Sequence, residues 1–369
     1  MKKTFCALFA VCLMLTAGMT SCGEKNITLE NPTGTYSQEY AGTTLNVFNW
    51  GEYISDGSEG SFDTNAAFEA LTGIKVNYMN FESNEAMYAK LKSGAVSYDI
   101  VIPSDYMIER LIKEDMVQKL DYSKIDNYKY IADDYRDLYF DPTNEYSVPY
   151  SVGMVGLIYN TTMVEGTPDS WSVMWDAKYA DNILTFNNPR DAFAIAQFLL
   201  GIDINSTDHA AWDAAAAKLK EQNNVLQARV MDEVFNKMEG ENAALAPYYA
   251  GDYLTMAKNN PDLAFVYPKE GTNIFVDSLC IPKNAQNYEA ALMYINFMLE
   301  PEVALANGEY ICYASPNTAV IENPDYAFYG NEYLYPTEEN KPKTEYFHDI
   351  DAETRSYYEK LWEDILLDD

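Results

Sequence analysis

Apolar runs alternate with helix-spaced apolar positions along most of the chain. Residues 44–48 read as a strand with Leu45 and Val47 on one face, and residues 74–79 as a second strand. Between them residues 66–71 are helical, with Gly73 as the stop. Ser83 caps a helix that runs through Lys92, places Met87 and Leu91 on one face, and ends at Gly94. Residues 98–102 form a buried strand ended by Pro103, and residues 107–113 are helical. This β-α-β-α-β-α order predicts a mostly parallel sheet covered by helices on both faces. The pattern changes over residues 146–159, a long β-rich run containing Gly153 and Gly156. A second series follows, with strands at residues 183–186, 263–267 and 274–281. Its helices are at residues 192–200, 210–220, 288–299 and 352–367, the last with Tyr357, Leu361 and Ile365 at i, i+4 and i+8. Two α/β lobes joined by β-crossovers place a cleft between them, beyond the C-terminal ends of the strands.

The N-terminus adds a compartment. Lys2 and Lys3 precede an apolar run over residues 5–15, and Ala17, Gly18, Thr20 and Ser21 are small; this is a secretory signal, too short for a membrane span. Cys22 directly follows the small residues, as in the lipobox of bacterial lipoproteins, with Met19 where that motif more often has Leu. Residues 23–42 are polar and read as a leash that lets a tethered domain move away from the membrane. Removal of residues 1–21 leaves a chain longer than the ~250–300 residues at which a single core stops growing, so two domains are expected. We place residues 43–152 and 273–321 in the first lobe, and residues 153–272 and 322–369 in the second.

Charge narrows the partners. The formal net charge is −32, which repels nucleic acid and anionic surfaces and attracts a small cation, although acidity also serves solubility alone. Of the 5 cysteines, Cys6 and Cys12 leave with the signal. Cys280 and Cys312 remain, either as one disulfide or as buried thiols. With only His209 and His348 beside them, no zinc spacing is present.

Four aromatic-acid clusters carry the candidate chemistry. Asn49-Trp50-Gly51-Glu52-Tyr53, Pro103-Ser104-Asp105-Tyr106 and Tyr248-Tyr249-Ala250-Gly251-Asp252-Tyr253 each follow a strand or apolar run, where α/β folds bind ligands. Phe275 and Asp277 are two apart on a strand and so share a face. An ammonium removed from water costs several kcal/mol and needs a carboxylate. Aromatic faces add roughly 0.5–2 kcal/mol per cation contact and cover methylenes. With 31 Tyr in the chain, any single cluster is ordinary packing more often than a site; four together point to an alkyl diammonium.

The segments Leu45-Asn46-Val47-Phe48-Asn49-Trp50-Gly51-Glu52-Tyr53, Glu82-Ser83-Asn84-Glu85, Tyr98-Asp99-Ile100-Val101-Ile102-Pro103-Ser104, Asp277-Ser278-Leu279 and Tyr313-Ala314-Ser315-Pro316-Asn317 are similar to those of bacterial spermidine/putrescine-binding proteins of ABC transporters. The likeness spans residues 43–317. It implies an α/β fold of the periplasmic-binding-protein type II, with two lobes and a ligand cleft. It implies no enzyme activity, no cofactor and no metal. It implies a polyamine ligand, a permease partner, a monomeric state and a periplasmic or cell-surface location, anchored through lipidated Cys22. It assigns Trp50, Tyr53 and Tyr313 to the slot aromatics and Ser104 and Tyr106 to strand-exit contacts. Asp277 becomes an ammonium-gripping carboxylate with Phe275 beside it, Asp252 an acid of putrescine-type members, and Asp191 an acid of the second lobe. Tyr249 stands where the family usually has Trp, and Asn188 where spermidine-type members tend to have Asp. The order of preference among putrescine, spermidine and spermine therefore stays open, as does the role of Glu52. The rivals are a binder of another small cationic solute and a secreted hydrolase using a carboxylate pair. Against the hydrolase, neither Gly-x-Ser-x-Gly nor His-Glu-x-x-His occurs.

Overall fold

The computed structural model describes residues 27–367; the signal segment and Cys22 lie outside them. β1 (Thr44–Trp50) and β2 (Lys75–Phe81) pair in parallel, Thr44 opposite Lys75 and Trp50 opposite Phe81. They are joined by α1 (Thr64–Thr72), capped by the Asp63 side chain and closed by Gly73 at φ 72°. α2 (Asn84–Ser93) is capped by Ser83, whose hydroxyl accepts from the Ala86 amide, and stops at Gly94 with φ 64°. Both ends use the chemistry that the sequence implied, a short side-chain acceptor at the start and a left-handed glycine at the stop. β3 (Ile100–Val101) pairs in parallel with β1 and leads into α3 (Asp105–Lys113). β3 is much shorter than the strand expected over residues 98–102.

β4 (Ser147–Asn160) is buried along its whole length. Then come β5 (Ile183–Phe186), α4 (Pro189–Leu200), α5 (His209–Gln222), β6 (Leu226–Val230), α6 (Glu233–Glu239), β7 (Leu245–Tyr249), α7 (Ala250–Asn259), β8 (Leu263–Val266) and β9 (Thr272–Cys280). The chain finishes with α8 (Tyr288–Met298), α9 (Pro301–Ile311), α10 (Thr318–Ile321), β10 (Thr344–Glu345) and α11 (Ala352–Leu367).

The strand order is β2-β1-β3-β9-β4-β7-β5-β6, with β10 on β9 and β8 on β4. The sheet is mixed rather than mostly parallel. β1, β2 and β3 are parallel, as are β5, β6 and β7, but β9 runs antiparallel to β3 and β4, and β4 antiparallel to β7 and β8. β4 and β9 are the reason, because each carries the chain from one half of the sheet to the other. The first part of β4 pairs with β9 and its second part with β7 and β8. Its register shifts between Pro149 and Ser151, where proline has no amide to give the ladder and the strand is free to bend. Gly153 and Gly156 serve this strand by lacking a side chain. A Cβ would meet the Phe275 ring at 2.3 Å and the Phe265 ring at 2.1 Å respectively.

α11 has the expected bounds but a different buried face. Thr354, Tyr358, Trp362 and Ile365 are buried, while Tyr357 and Leu361 are only half-buried. The turn of about one residue brings Tyr358 flat onto Trp212 of α5, ring centroids 4.7 Å apart. Cys280 and Cys312 are both free and buried. The expected leash is, from Ile27 on, laid against the body of the protein: Ile27, Leu29, Tyr36 and Tyr40 pack on the core under β1 and α8. Among the described residues no helix is long and apolar enough to cross a membrane.

Candidate functional site

The ends of β1, β3, β5 and β7, with β9 and Tyr313 just beyond α9, surround one cavity of about 560 Å³. The residues that the resemblance assigned to ligand contact all line it: Trp50, Tyr53, Ser104, Tyr106, Asp191, Tyr249, Asp252, Phe275, Asp277 and Tyr313. Asn49 does not. It is buried behind the wall, donating to the Tyr78 hydroxyl at 2.7 Å and to the Tyr53 carbonyl, and so fixes the loop that presents Trp50 and Tyr53. Glu52 is exposed on the rim with φ 50°.

Three carboxylates are the chemical centre, and each has its own tyrosine. The Tyr53 hydroxyl donates to Asp277 Oδ2 at 2.7 Å, that of Tyr313 to Asp252 Oδ2 at 2.9 Å, and that of Tyr249 to Asp191 Oδ2 at 2.8 Å. The Asn188 amide also donates to Asp191 at 2.7 Å, so this position supplies a donor where an Asp would supply charge. Asp277 Oδ1 is buried without a partner. None of the three carboxylates is paired with a lysine or arginine among the described residues. Burial therefore dominates their titration. It lifts Asp277 to about 6 against the pull of the Tyr53 and Ser104 hydroxyls. Burial likewise lifts Asp191 to about 6, opposed by Tyr249 and by nearby Arg190. Asp252 rises to about 7 through burial, opposed by Tyr313 and reinforced by the charges of Asp232 and Glu52.

Aromatic rings connect these acids. Tyr53 meets Tyr313 edge-on at 5.2 Å, Tyr313 lies 6.4 Å from Phe275, and Phe275 meets Tyr249 edge-on at 5.4 Å. Trp50 leans on Phe81 at 4.5 Å, with its indole N–H buried and unpartnered. Tyr106 donates to Glu85 at 3.0 Å and packs edge-on against Phe347. The arrangement is an aromatic-lined slot carrying three buried carboxylates, suited to an alkyl chain bearing ammonium groups.

Several lining residues were not foreseen. Asp105, fully buried, binds the Val276 amide at 3.2 Å and ties α3 to β9 beside Asp277; burial raises its carboxyl well above the usual range. Arg190 is buried with its guanidinium 4.4 Å from the Phe347 ring, and it donates to Asn205. Glu82 and Asp232 face the rim. Asp105 stood inside a motif that had been singled out, and Arg190 directly before Asp191, so proximity was the available signal; Phe347 and Asp232 carried none. No group of His, Cys, Asp and Glu among the described residues is arranged to hold a metal.

The family described as bacterial extracellular solute-binding protein matches residues 96–334, more than half of the chain. The chain belongs to that family. This solute-binding protein is 38% identical over 328 residues to the spermidine/putrescine-binding periplasmic protein of Salmonella typhimurium, covering 86% of this chain and 91% of the relative. It is 30% identical over 321 residues to a putrescine-binding periplasmic protein of Escherichia coli, covering 81% and 85%. A solved Listeria monocytogenes structure, provisionally assigned to spermidine/putrescine ABC transport, superposes with a TM-score of 0.83 at 36% identity, covering 88% of this chain and 99% of that one. A spermidine/putrescine ABC transporter substrate-binding protein of Streptococcus pneumoniae gives 0.73 at 34%, with the same coverage. The fold is the α/β fold of periplasmic solute-binding proteins, and the family members are transport proteins rather than enzymes.

Proposed function

We propose that this solute-binding protein captures a linear polyamine of the putrescine/spermidine class outside the cytoplasm and delivers it to an ABC transporter permease. The observation that carries the reading is Asp277, a buried carboxylate with one oxygen unpartnered inside an aromatic slot. Such a group costs several kcal/mol unless a cation joins it. Asp252 and Asp191 offer the further ammonium sites, and the Tyr53, Tyr313, Phe275 and Tyr249 rings cover the methylenes. The polyamine names of the relatives support the same reading.

In this reading residues 43–152 and 273–321 form one lobe, and residues 153–272 and 322–369 the other. β4 and β9 act as the hinge strands. Ligand contacts to Asp277 on one lobe and Asp191 and Asp252 on the other favour the closed state, since closure is driven only by contacts made in that state. Cys22 carries the lipid that holds the protein at the membrane, and the protein acts as a monomer. Calorimetric titration of lipid-free protein with putrescine, spermidine and spermine tests the proposal. Absence of heat, together with absence of thermal stabilisation by any of them, rejects it.

A further inference from the structure

Residues 27–41 are not free chain. Glu300, the residue before α9, is 1% exposed, and its side chain does not cap that helix. It turns instead to the N-terminal segment. The Thr33 amide donates to it at 2.8 Å and the Gly34 amide at 2.7 Å; the Tyr36 hydroxyl donates as well. The Thr33 hydroxyl lies 2.7 Å from both Glu300 and the buried Asn127. The Tyr36 ring stands edge-on against Phe297, and a Cβ on Gly34 would meet the Asn296 amide at 2.3 Å, so the segment is held tightly where it crosses α8. Further upstream the Glu30 amide donates to Glu302 at 3.1 Å, and Leu29 and Ile27 pack on the same core. A buried carboxylate accepting several charge-assisted hydrogen bonds is a strong local fastening.

We infer that Glu300 latches the N-terminal segment to the face formed by Asp126–Tyr130, the end of α8 and the start of α9, and that the lipid anchor thereby holds this face against the bilayer surface. The inference rests on the reading of Cys22 as the lipidated residue. Between Cys22 and Ile27 lie only five peptide links, a reach of about 18 Å fully extended. An unlatched segment would run from Cys22 to Thr44, about 75 Å at full extension. Shortening the tether this much cuts the greatest distance the body can stand off the bilayer by about fourfold. The latch therefore gives the protein a membrane-facing side, and the bilayer is the partner of that side.

Two measurements test this. By hydrogen exchange on the mature chain made without lipid (Cys22→Ser), the Thr33 and Gly34 amides should exchange at least about 100-fold more slowly than free chain. Gly34→Val, which acts from the segment side, and Glu300→Gln should each remove most of that protection. Free-chain exchange of these amides in the otherwise unaltered protein overturns the latch. On vesicles of phosphatidylcholine, the lipidated protein carrying a donor dye at Lys124→Cys should transfer energy to a headgroup acceptor, and Gly34→Val should reduce that transfer. Equal transfer with and without Gly34→Val overturns the membrane-facing assignment. If the protein with Cys22 intact fails to float with vesicles, the lipid reading and the assignment fall together, while the exchange result judges the latch separately.

Discussion

Asp277→Asn should change binding and empty-state stability in opposite directions. The substitution keeps the shape, and the Tyr53 hydroxyl keeps an acceptor where it now donates at 2.7 Å. What it removes is a charge. In the liganded protein that charge pairs with an ammonium, and stripping one partner from a buried pair costs on the order of 2–5 kcal/mol. At 1.4 kcal/mol per decade, affinity should fall by roughly 30-fold to 4000-fold. In the empty protein the same charge is a burden. The folded pKa is raised from 3.8 to about 6, so the folded state holds the proton more tightly than the unfolded chain does. No penalty exists below pH ~4; it grows as pH rises through about 6 and is then constant, at about 3 kcal/mol for a shift of roughly two units. The amide of the variant is neutral throughout, so the empty variant should be more stable than the parent at pH 8 by up to this amount and equal to it near pH 4. Denaturant unfolding of lipid-free protein at both pH values, with calorimetric titration at pH 8, gives both numbers. Affinity within twofold of the parent, or an equal stability difference at the two pH values, would refute the reasoning.

Other outcomes follow from the same geometry. Binding a polyammonium should expel protons between pH 5 and 7, because Asp191, Asp252 and Asp277 titrate at about 6, 7 and 6 when empty and must ionise to pair. Titrations near pH 6.5 in buffers of different ionisation enthalpy should show a net release, and affinity should weaken as pH falls below about 6. Gly153→Ala drives a methyl into the Phe275 ring, 2.3 Å from its Cζ, and should cost about 1–3 kcal/mol of stability while also weakening binding through the displaced slot aromatic. Ser83→Ala removes the acceptor of the Ala86 amide at 3.1 Å and should cost about 1 kcal/mol in chemical denaturation. Its effect on ligand affinity should be small, since Ser83 does not line the cavity.

The sequence by itself determined what is local. Ser83 with Gly94, and Gly73 after α1, mark helix ends through bonds spanning three or four residues, and these appear where the chain places them, whereas the Asp63 cap starts α1 at Thr64, ahead of the expected residue 66. The aromatic-acid clusters were legible for the same reason, because strand ends in α/β folds bring their following residues to one rim. α7 escaped notice: its N-terminus begins at Ala250 with no side-chain cap, so the usual start signal is missing where Asp252 faces the cavity. α9 carries a start signal in Pro301 at its first turn but has no side-chain cap, because the Glu300 carboxylate serves the N-terminal segment instead.

Only the tertiary structure decided the pairings. Tyr53 and Asp277 are 224 residues apart, and Tyr313 and Asp252 are 61 apart; no spacing rule connects them. The crossing of β4 and β9, the rotation of α11 onto Trp212 and the capture of residues 27–41 by Glu300 likewise depend on which surfaces meet. Composition and periodicity assign each residue a preference, for burial, for a turn or for charge. Which buried acid receives which tyrosine, and which one keeps an oxygen without a partner, is settled by packing between segments distant in the chain, and that settlement makes the slot.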